Sequence, residues 1–396
     1  MILRAQAAVP ADVAAGVRSG LEYPSRQGGK GTRAMLNFVA RRLGVMVLTA
    51  LALTFVVFYL TNLPPNLEKL ARTEGSVRMT DEAVASWIEN NGHGGSVIAR
   101  YSEWLGLAPG WVRTDDKGVT RGRCIRDGEI YEDGPPTYCG ILQGAWGQST
   151  VFKEPVASVL GDKLASTGYL MLAVMLVMVP VSLLIGVLSG MREGSRTDRT
   201  LSIFSIASTA TPEYVSGVIL VALFASATAG LSPILNDWGW IDSKTLFLGT
   251  ATSAMDKITF WNFALPVLTI ALYGIGYIAR MTRASMTEVM VQQYIRTARL
   301  KGVSFREVVM RHALRNALIA PFTVIMLQFP WLLNGVVIVE SLFNYKGFGW
   351  TLVQAAGNND IQLLLGCSVV AVIVVLVTQL ISDIGYVYLN PRIRLA

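Results

Sequence analysis

The chain has 396 residues, of which 52% are hydrophobic and only 15% charged, with a mean hydropathy of +0.45. Soluble globular domains carry roughly 25% charged residues, so this composition excludes them unless the apolar residues face lipid. Three cysteines exclude a disulfide scaffold and a cysteine-rich zinc array, and two histidines leave little for a metal centre.

Residues 1–34 are polar, basic and glycine-rich, and read as a disordered tail or a start codon assigned too early. Residues 35–62 hold the first span. Its apolar run, 43–62, covers about 20 residues or roughly 30 Å of helix. A signal-peptide core is about 7–15 residues long and ends at small residues. Here Thr61-Asn62-Leu63-Pro64-Pro65 follows instead, so the span is read as uncleaved.

Residues 63–163 contain no spanning run and form a large extracytoplasmic insert with short helices expected around 80–105. The insert holds Trp87, Trp104, Trp111, Cys124 and Cys139. The two cysteines are flanked by Gly, Pro and Asp, and a disulfide is expected in an oxidising compartment. His93 sits between Gly92 and Gly94 and reads as a surface-loop residue, since no second ligand has metal spacing with it.

Residues 164–396 supply five further spans, at 169–188, 202–231, 263–279, 318–339 and 363–384. The expected fold class is therefore an all-α polytopic membrane protein with six transmembrane helices. The 202–231 run is interrupted at Pro212, which Glu213 follows. A carboxylate at that depth usually faces a cavity or partner, which makes Pro212 and Glu213 candidates for a translocation path. The compatible local reading makes Thr211 an N-cap, with Pro212 at the first helical position and Glu213 in the first turn.

Six spans put both termini on one side. That side takes 1–42, 189–201, 280–317 and 385–396, with 7, 3, 8 and 2 basic residues, against 2 and 1 in 232–262 and 340–362. Lys and Arg in short loops mark the cytoplasmic side, so both termini are expected there. The net charge of +7 is then a topological signature, and no nucleic acid is needed to explain it.

The most informative segment is 284–316. It has no Gly or Pro before Gly302, so a helix is expected to run up to that glycine and end there. Ser304 and Glu307 then have S-x-x-E spacing, a capping box that restarts a helix through Phe305, Val308, Val309 and Leu314. A helix–turn–helix reader of DNA is implausible when spans tether both ends. A short lever that docks on a soluble partner fits better.

Within this lever, Tyr294, Arg296, Thr297, Ala298, Arg299, Lys301 and Gly302 match the pattern Tyr-x-Arg-Thr-Ala-Arg-x-Lys-Gly. The chain thereby resembles the inner-membrane permease subunits of bacterial binding-protein-dependent ABC importers, in the dipeptide/oligopeptide/nickel group, first-subunit type. Arg296 stands where the wider superfamily has Glu. The match continues through His312-Ala-Leu-Arg-Asn-Ala-Leu318, Asp198-Arg199, Val339-Glu340, Phe343, Gly347, Gly349 and Asp360, with Lys346 in place of the usual proline. Asp383, Tyr386 and 390–394 resemble the group's C-terminal signature.

The resemblance implies a type I importer permease fold in a bacterial inner membrane. It also implies a second homologous permease subunit, two cytoplasmic ATPase subunits and a periplasmic solute-binding protein. Tyr294 to Gly302, with Ser304 and Glu307, would be the ATPase-coupling loop, and Thr297 and Ala298 would line its docked face. No G-x-x-x-x-G-K-[ST] occurs, so ATP and Mg are expected on the partner subunits and this chain is expected to bind no cofactor or metal and to catalyse nothing. Peptides are the leading cargo, with oligosaccharides or opine-like conjugates second. An ion-driven carrier would need paired intramembrane carboxylates or inverted repeats, and only Glu213 and Asp383 offer themselves. A membrane-embedded enzyme would need a Ser/His or His/Asp cluster, which the sequence lacks.

Overall fold

The computed structural model of the protein describes residues 28–114, 120–125 and 136–389. Helix α1 (Gly28–Thr61) starts before Met35, where it was expected to begin. The flank Gly28–Ala34 contains no proline, and an established helix extends into such a flank at one hydrogen bond per residue fixed. The tail expected over 1–34 is thus helical from Gly28, and residues 1–27 lie outside the described residues.

The insert begins with α2 (Pro64–Glu74), α3 (Asp81–Asn90) and α4 (Val97–Leu105). Thr80 caps α3 by accepting from the Ala83 N–H, and Ser96 caps α4 by accepting from the Ala99 N–H. Phe58 of α1 packs with Leu67, Leu70 and Trp104 of the insert and with Ile361 and Leu365 beyond it. The insert therefore has its own apolar anchor on the spans. Strands β1 (Val112–Thr114) and β2 (Thr120–Gly122) pair antiparallel, Val112 opposite Gly122. This ribbon amends the all-α expectation, which followed the dominant helical periodicity and could not register two three-residue strands.

Helix α5 (Val156–Gly190) begins eight residues before residue 164, where the helical core was expected to start. Its first turns are too polar to count as a span, yet Val156, Val159 and Leu160 are buried against Leu363 and Cys367. Helices α6 (Arg196–Ala210) and α7 (Glu213–Phe224) follow, bent by 110° where the sequence suggested an interrupted run. Pro212 lacks an N–H and forces Thr211 into an extended conformation, which breaks the ladder there. The expected capping is also corrected. The Thr211 hydroxyl donates back to the Ala207 carbonyl at 2.9 Å, and Pro212 itself holds the N-cap position.

After the short α8 (Leu231–Asp237) comes α9 (Phe260–Met290), the central helix. It packs on α5, α6 and α7. In its most apolar window 72% of the residues are buried, against 11% for α1, whose side chains largely point outward. Small residues allow the close approach: a Cβ on Gly186 would fall 2.7 Å from the Ala279 carbonyl oxygen, and one on Gly190 2.7 Å from that of Arg283.

The chain continues through α10 (Gln293–Leu300), α11 (Phe305–Glu307), a π-helical turn (Val308–Ala313) and α12 (Leu314–Ala317). It ends in α13 (Ile319–Leu342), α14 (Phe348–Gly357) and α15 (Ile361–Leu389). Among the described residues, four helices are long and apolar enough to cross a membrane, or five when α6 and α7 count as one span.

Two ends of the bundle follow from its contacts. At one, Ser189 of α5 and Arg283 of α9 both bond Asp198 of α6. At the other, Ser149 donates to Asp360 ahead of α15, and the Ala251 N–H donates to the carbonyl of Phe343 beyond α13.

Candidate functional site

The segment expected to be a lever projects from the Asp198 end of the bundle, but its first helix is not continuous. α9 stops at Met290, Val291 and Gln292 form a break, and α10 begins at Gln293. Val291 and Gln292 are both exposed, whereas Ile295, three residues after Gln292, is fully buried. Docking Ile295 and Ala298 onto the bundle requires the chain to change direction, and that packing overrides local helix propensity.

Gly302 has φ +77°, the left-handed conformation that ends α10. Ser304 accepts from the Glu307 N–H at 3.4 Å, one half of the expected capping box. The Glu307 carboxylate instead meets Arg311 at 3.5 Å on the next turn. The restarted helix widens into the π turn, which buries Val308, Val309 and Ala313 together.

These buried residues form one cluster with Met286, Ile295, Ala298 and Ala317, flanked by Val187 and Met191 at the end of α5. Ala298 therefore faces the chain's own core, which corrects its expected place on a docked face. Thr297, Arg296, Arg299, Lys301 and Leu300 are exposed, Leu300 at 80%. Tyr294 is exposed along its ring while its hydroxyl accepts from Asn316 Nδ2 at 3.0 Å. Phe305 lies under two guanidinium groups, Arg192 at 5.1 Å and Arg299 at 5.8 Å, which joins the α5–α6 turn to the lever.

The base of the lever is an ion-pair hub that sequence reasoning assigned no role. Buried Asp198 accepts from Arg283 Nε at 2.5 Å and Nη2 at 2.8 Å, from the Ser189 hydroxyl at 2.6 Å and from the Gly194 N–H at 2.8 Å. Ser195 caps α6 on the Asp198 N–H. Met286, one turn beyond Arg283, is already in the lever's apolar cluster. Opposite charges at the ends of two spans were the available signal.

At the opposite end, buried Glu340 accepts from the Thr167 hydroxyl at 2.5 Å and the Trp350 N–H at 3.0 Å. Thr167 in turn accepts from the Phe348 N–H, so α5, α13 and α14 meet in one polar network. Glu213 is the first residue of α7, half-buried at the 110° break, with Pro212 exposed before it.

In the insert, Cys124 and Cys139 are joined in a disulfide with a Cα–Cα distance of 5.5 Å. His93, expected on the surface, is half-buried and stacks on Trp87 at 5.9 Å. Burial, followed by the charges of Arg100 and Arg123, pushes its pKa down to about 4. Among the described residues no group of three His, Cys, Asp or Glu side chains could hold a metal.

The chain is 31% identical over 369 residues to the di/tripeptide transport system permease protein DppB of Pseudomonas aeruginosa, covering 91% of this chain and 99% of that one. It is 32% identical to the oligopeptide transport system permease protein AppB of Bacillus subtilis, covering 64% of this chain and 77% of that one. Among solved structures, a crystal structure of an amino acid ABC transporter with histidines aligns at a TM-score of 0.42 and 14% identity, covering 58% of this chain and 94% of that chain. Residues 182–395, which contain the lever, its ion-pair hub and the Glu340 network's acceptor, match the model of the binding-protein-dependent transport system inner membrane component, and this chain belongs to that family.

Proposed function

We propose that the chain is the permease subunit of an ATP-driven importer that moves short peptides inward across the inner membrane. The observation that carries this is the lever. An exposed row of Arg296, Thr297, Leu300 and Lys301 stands on a fully buried cluster that continues into α5 and α9. Force applied to that row by a soluble partner is delivered to the spans because the apolar contact and the Asp198–Arg283 hub leave little slack. The partner is a pair of ATPase subunits that hold ATP and Mg. A second homologous permease completes the pathway, and a periplasmic binding protein delivers cargo.

The arrangement takes six crossings, with α6 and α7 as one broken span and α13 as another. α13 has 24 residues, or about 36 Å of helix. α5 leads from the Asp360 end to the Asp198 end, α6 with α7 leads back, and α9, α13 and α15 alternate. The charge counts support a cytoplasmic Asp198 end. The peptide cargo rests on the names of the two permeases above. Glu213, at the break between α6 and α7, lines the path between the two permeases.

The experiment is uptake of a labelled tripeptide into proteoliposomes holding both permeases and both ATPases, with binding protein outside. ATP-dependent uptake is expected. Uptake of oligosaccharide but not of any peptide would move the cargo to the second class, and uptake driven by an ion gradient without ATP would overturn the importer.

A further inference from the structure

A cavity of about 810 Å³ lies where the insert meets the outer ends of α1 and α15. That is within the range of about 300–1,000 Å³ typical of small-ligand sites. Its walls include Trp104, Trp111 and Phe58, with Asn62 and Gln362 from the ends of the spans. Among the described residues two arginines line it, Arg100 and Arg123, against one carboxylate, Glu103.

Neither arginine is in an ion pair among the described residues. Arg100 is 9% exposed; its Nη1 donates to Asn62 Oδ1 at 3.1 Å, while its buried Nε has no hydrogen-bond partner. Arg123 Nε donates to the Cys139 carbonyl at 3.2 Å, so the disulfide loop holds this arginine against the cavity. Glu103 acts electrostatically on both arginines, so the two guanidinium groups share one carboxylate, and withdrawing the second from water without an anion of its own is costly. The described lining thus carries an excess of one positive charge between aromatic walls, the complement of a carboxylate attached to a small organic group.

We propose that this cavity is a binding site for the free C-terminal carboxylate of a short peptide. The carboxylate lies between Arg100 and Arg123, and the peptide's apolar part lies against Trp104 and Trp111. The site is separate from the membrane pathway at Glu213 and gives the permease its own contact with cargo. The identification of the ligand as a peptide rests on the proposed function; the carboxylate recognition rests on the arginines alone.

The test uses the full chain in nanodiscs of zwitterionic lipid, with tryptophan fluorescence as the readout because Trp104 and Trp111 line the cavity. The probes are trialanine, trialanine amide and inorganic phosphate, with a parallel set of nanodiscs containing phosphatidylglycerol. Trialanine is expected to give a saturable change with at least tenfold higher affinity than its amide. Phosphate at equal concentration and the anionic lipid are expected to leave that change in place. Arg123→Gln is expected to lower trialanine affinity at least tenfold. The acid–amide contrast needs no variant, so it stands even if Arg123→Gln misfolds. Equal binding of acid and amide would overturn the site, as would displacement of trialanine by phosphate or by the anionic lipid. Peptide uptake in the complete importer with no acid–amide contrast here would sink this inference and leave the proposed function standing. The contrast without any peptide uptake would do the reverse.

Discussion

Asp198 shows what a single side chain does in this protein. Its carboxylate collects donors from α5, from the turn before α6, and from α9, so three helices lose their anchor together if it goes. Removing one partner of a buried pair costs about 3–5 kcal/mol, and the lower end applies because Arg283 keeps some solvent contact. The Ser202 hydroxyl also donates to Asp198, at 3.1 Å; Asp198→Ala is expected to lower the melting temperature of the purified protein well below that produced by Ser202→Ala, which removes one neutral donor worth about 1 kcal/mol. Thermal unfolding of the two variants side by side checks the order; equal melting temperatures would remove Asp198 from its role.

His93 makes the opposite case, a residue whose type suggested nothing and whose surroundings matter. Its folded pKa of about 4 lies below the ordinary 6.5 because burial and two arginines disfavour the charged ring. The unfolded insert therefore binds the extra proton first as pH falls. The insert's stability is expected to be flat above about pH 6.5 and to fall between 6.5 and about 4. His93→Gln should flatten that window. Amide hydrogen exchange over α3 and α4 at several pH values measures it, and an unchanged slope in the variant would assign the pH dependence elsewhere.

At the scale of elements, helix positions were legible wherever a long apolar run existed, because hydrocarbon burial leaves a signal that local chemistry cannot hide. Partly polar elements were harder to read. The first turns of α5 and the whole of α14 are helical through packing: Phe348, Gly349, Thr351 and Ala355 of α14 are buried against neighbours remote in sequence. The lever was legible as a turn at Gly302 and a cap at Ser304, both local features. Its break at Val291 and the inward face of Ala298 were not, since both depend on where α5 and α9 lie.

The lever's glycine yields the prediction that belongs to this scale. A Cβ at Gly302 would meet nothing within 4 Å, so only its φ of +77° resists substitution. A β-branched residue in that region costs about 1–3 kcal/mol locally, against about 1 kcal/mol for losing the Ser304 cap. Gly302→Val should therefore leave the protein inserted and folded while it redirects α10. Loss of ATPase co-purification and of uptake is expected, and Ser304→Ala should be mild in both assays. Ala298→Trp should also uncouple, but by prising α10 off Met286 and Val309 rather than by blocking a docked surface. Wild-type uptake and ATPase retention in Gly302→Val would show that the coupling lies elsewhere.

For the molecule as a whole, charge and packing bear independently on its orientation. The basic residues of 189–201 and 280–317 outnumber those of 232–262 and 340–362 by 11 to 3, and an asymmetry of that size in short loops sets topology. Packing separately gathers the α5–α6 turn and the lever at one end through Asp198, Arg192 and Phe305. It gathers the insert and the approach to α15 at the other through Ser149 and Asp360. The disulfide between Cys124 and Cys139 sits at this second end, and its formation needs an oxidising compartment. The expected topology therefore has six crossings, the lever inside and the insert outside. A cysteine placed at Gly95, an exposed turn of the insert, should react with a membrane-impermeant maleimide in intact spheroplasts, and one at Gln293 should react only after the membrane is opened. Both sites reacting from outside would break the crossing count at the α6–α7 bend, making that pair a re-entrant loop. The reverse pattern would invert the whole chain and place the lever beyond the reach of any cytoplasmic ATPase.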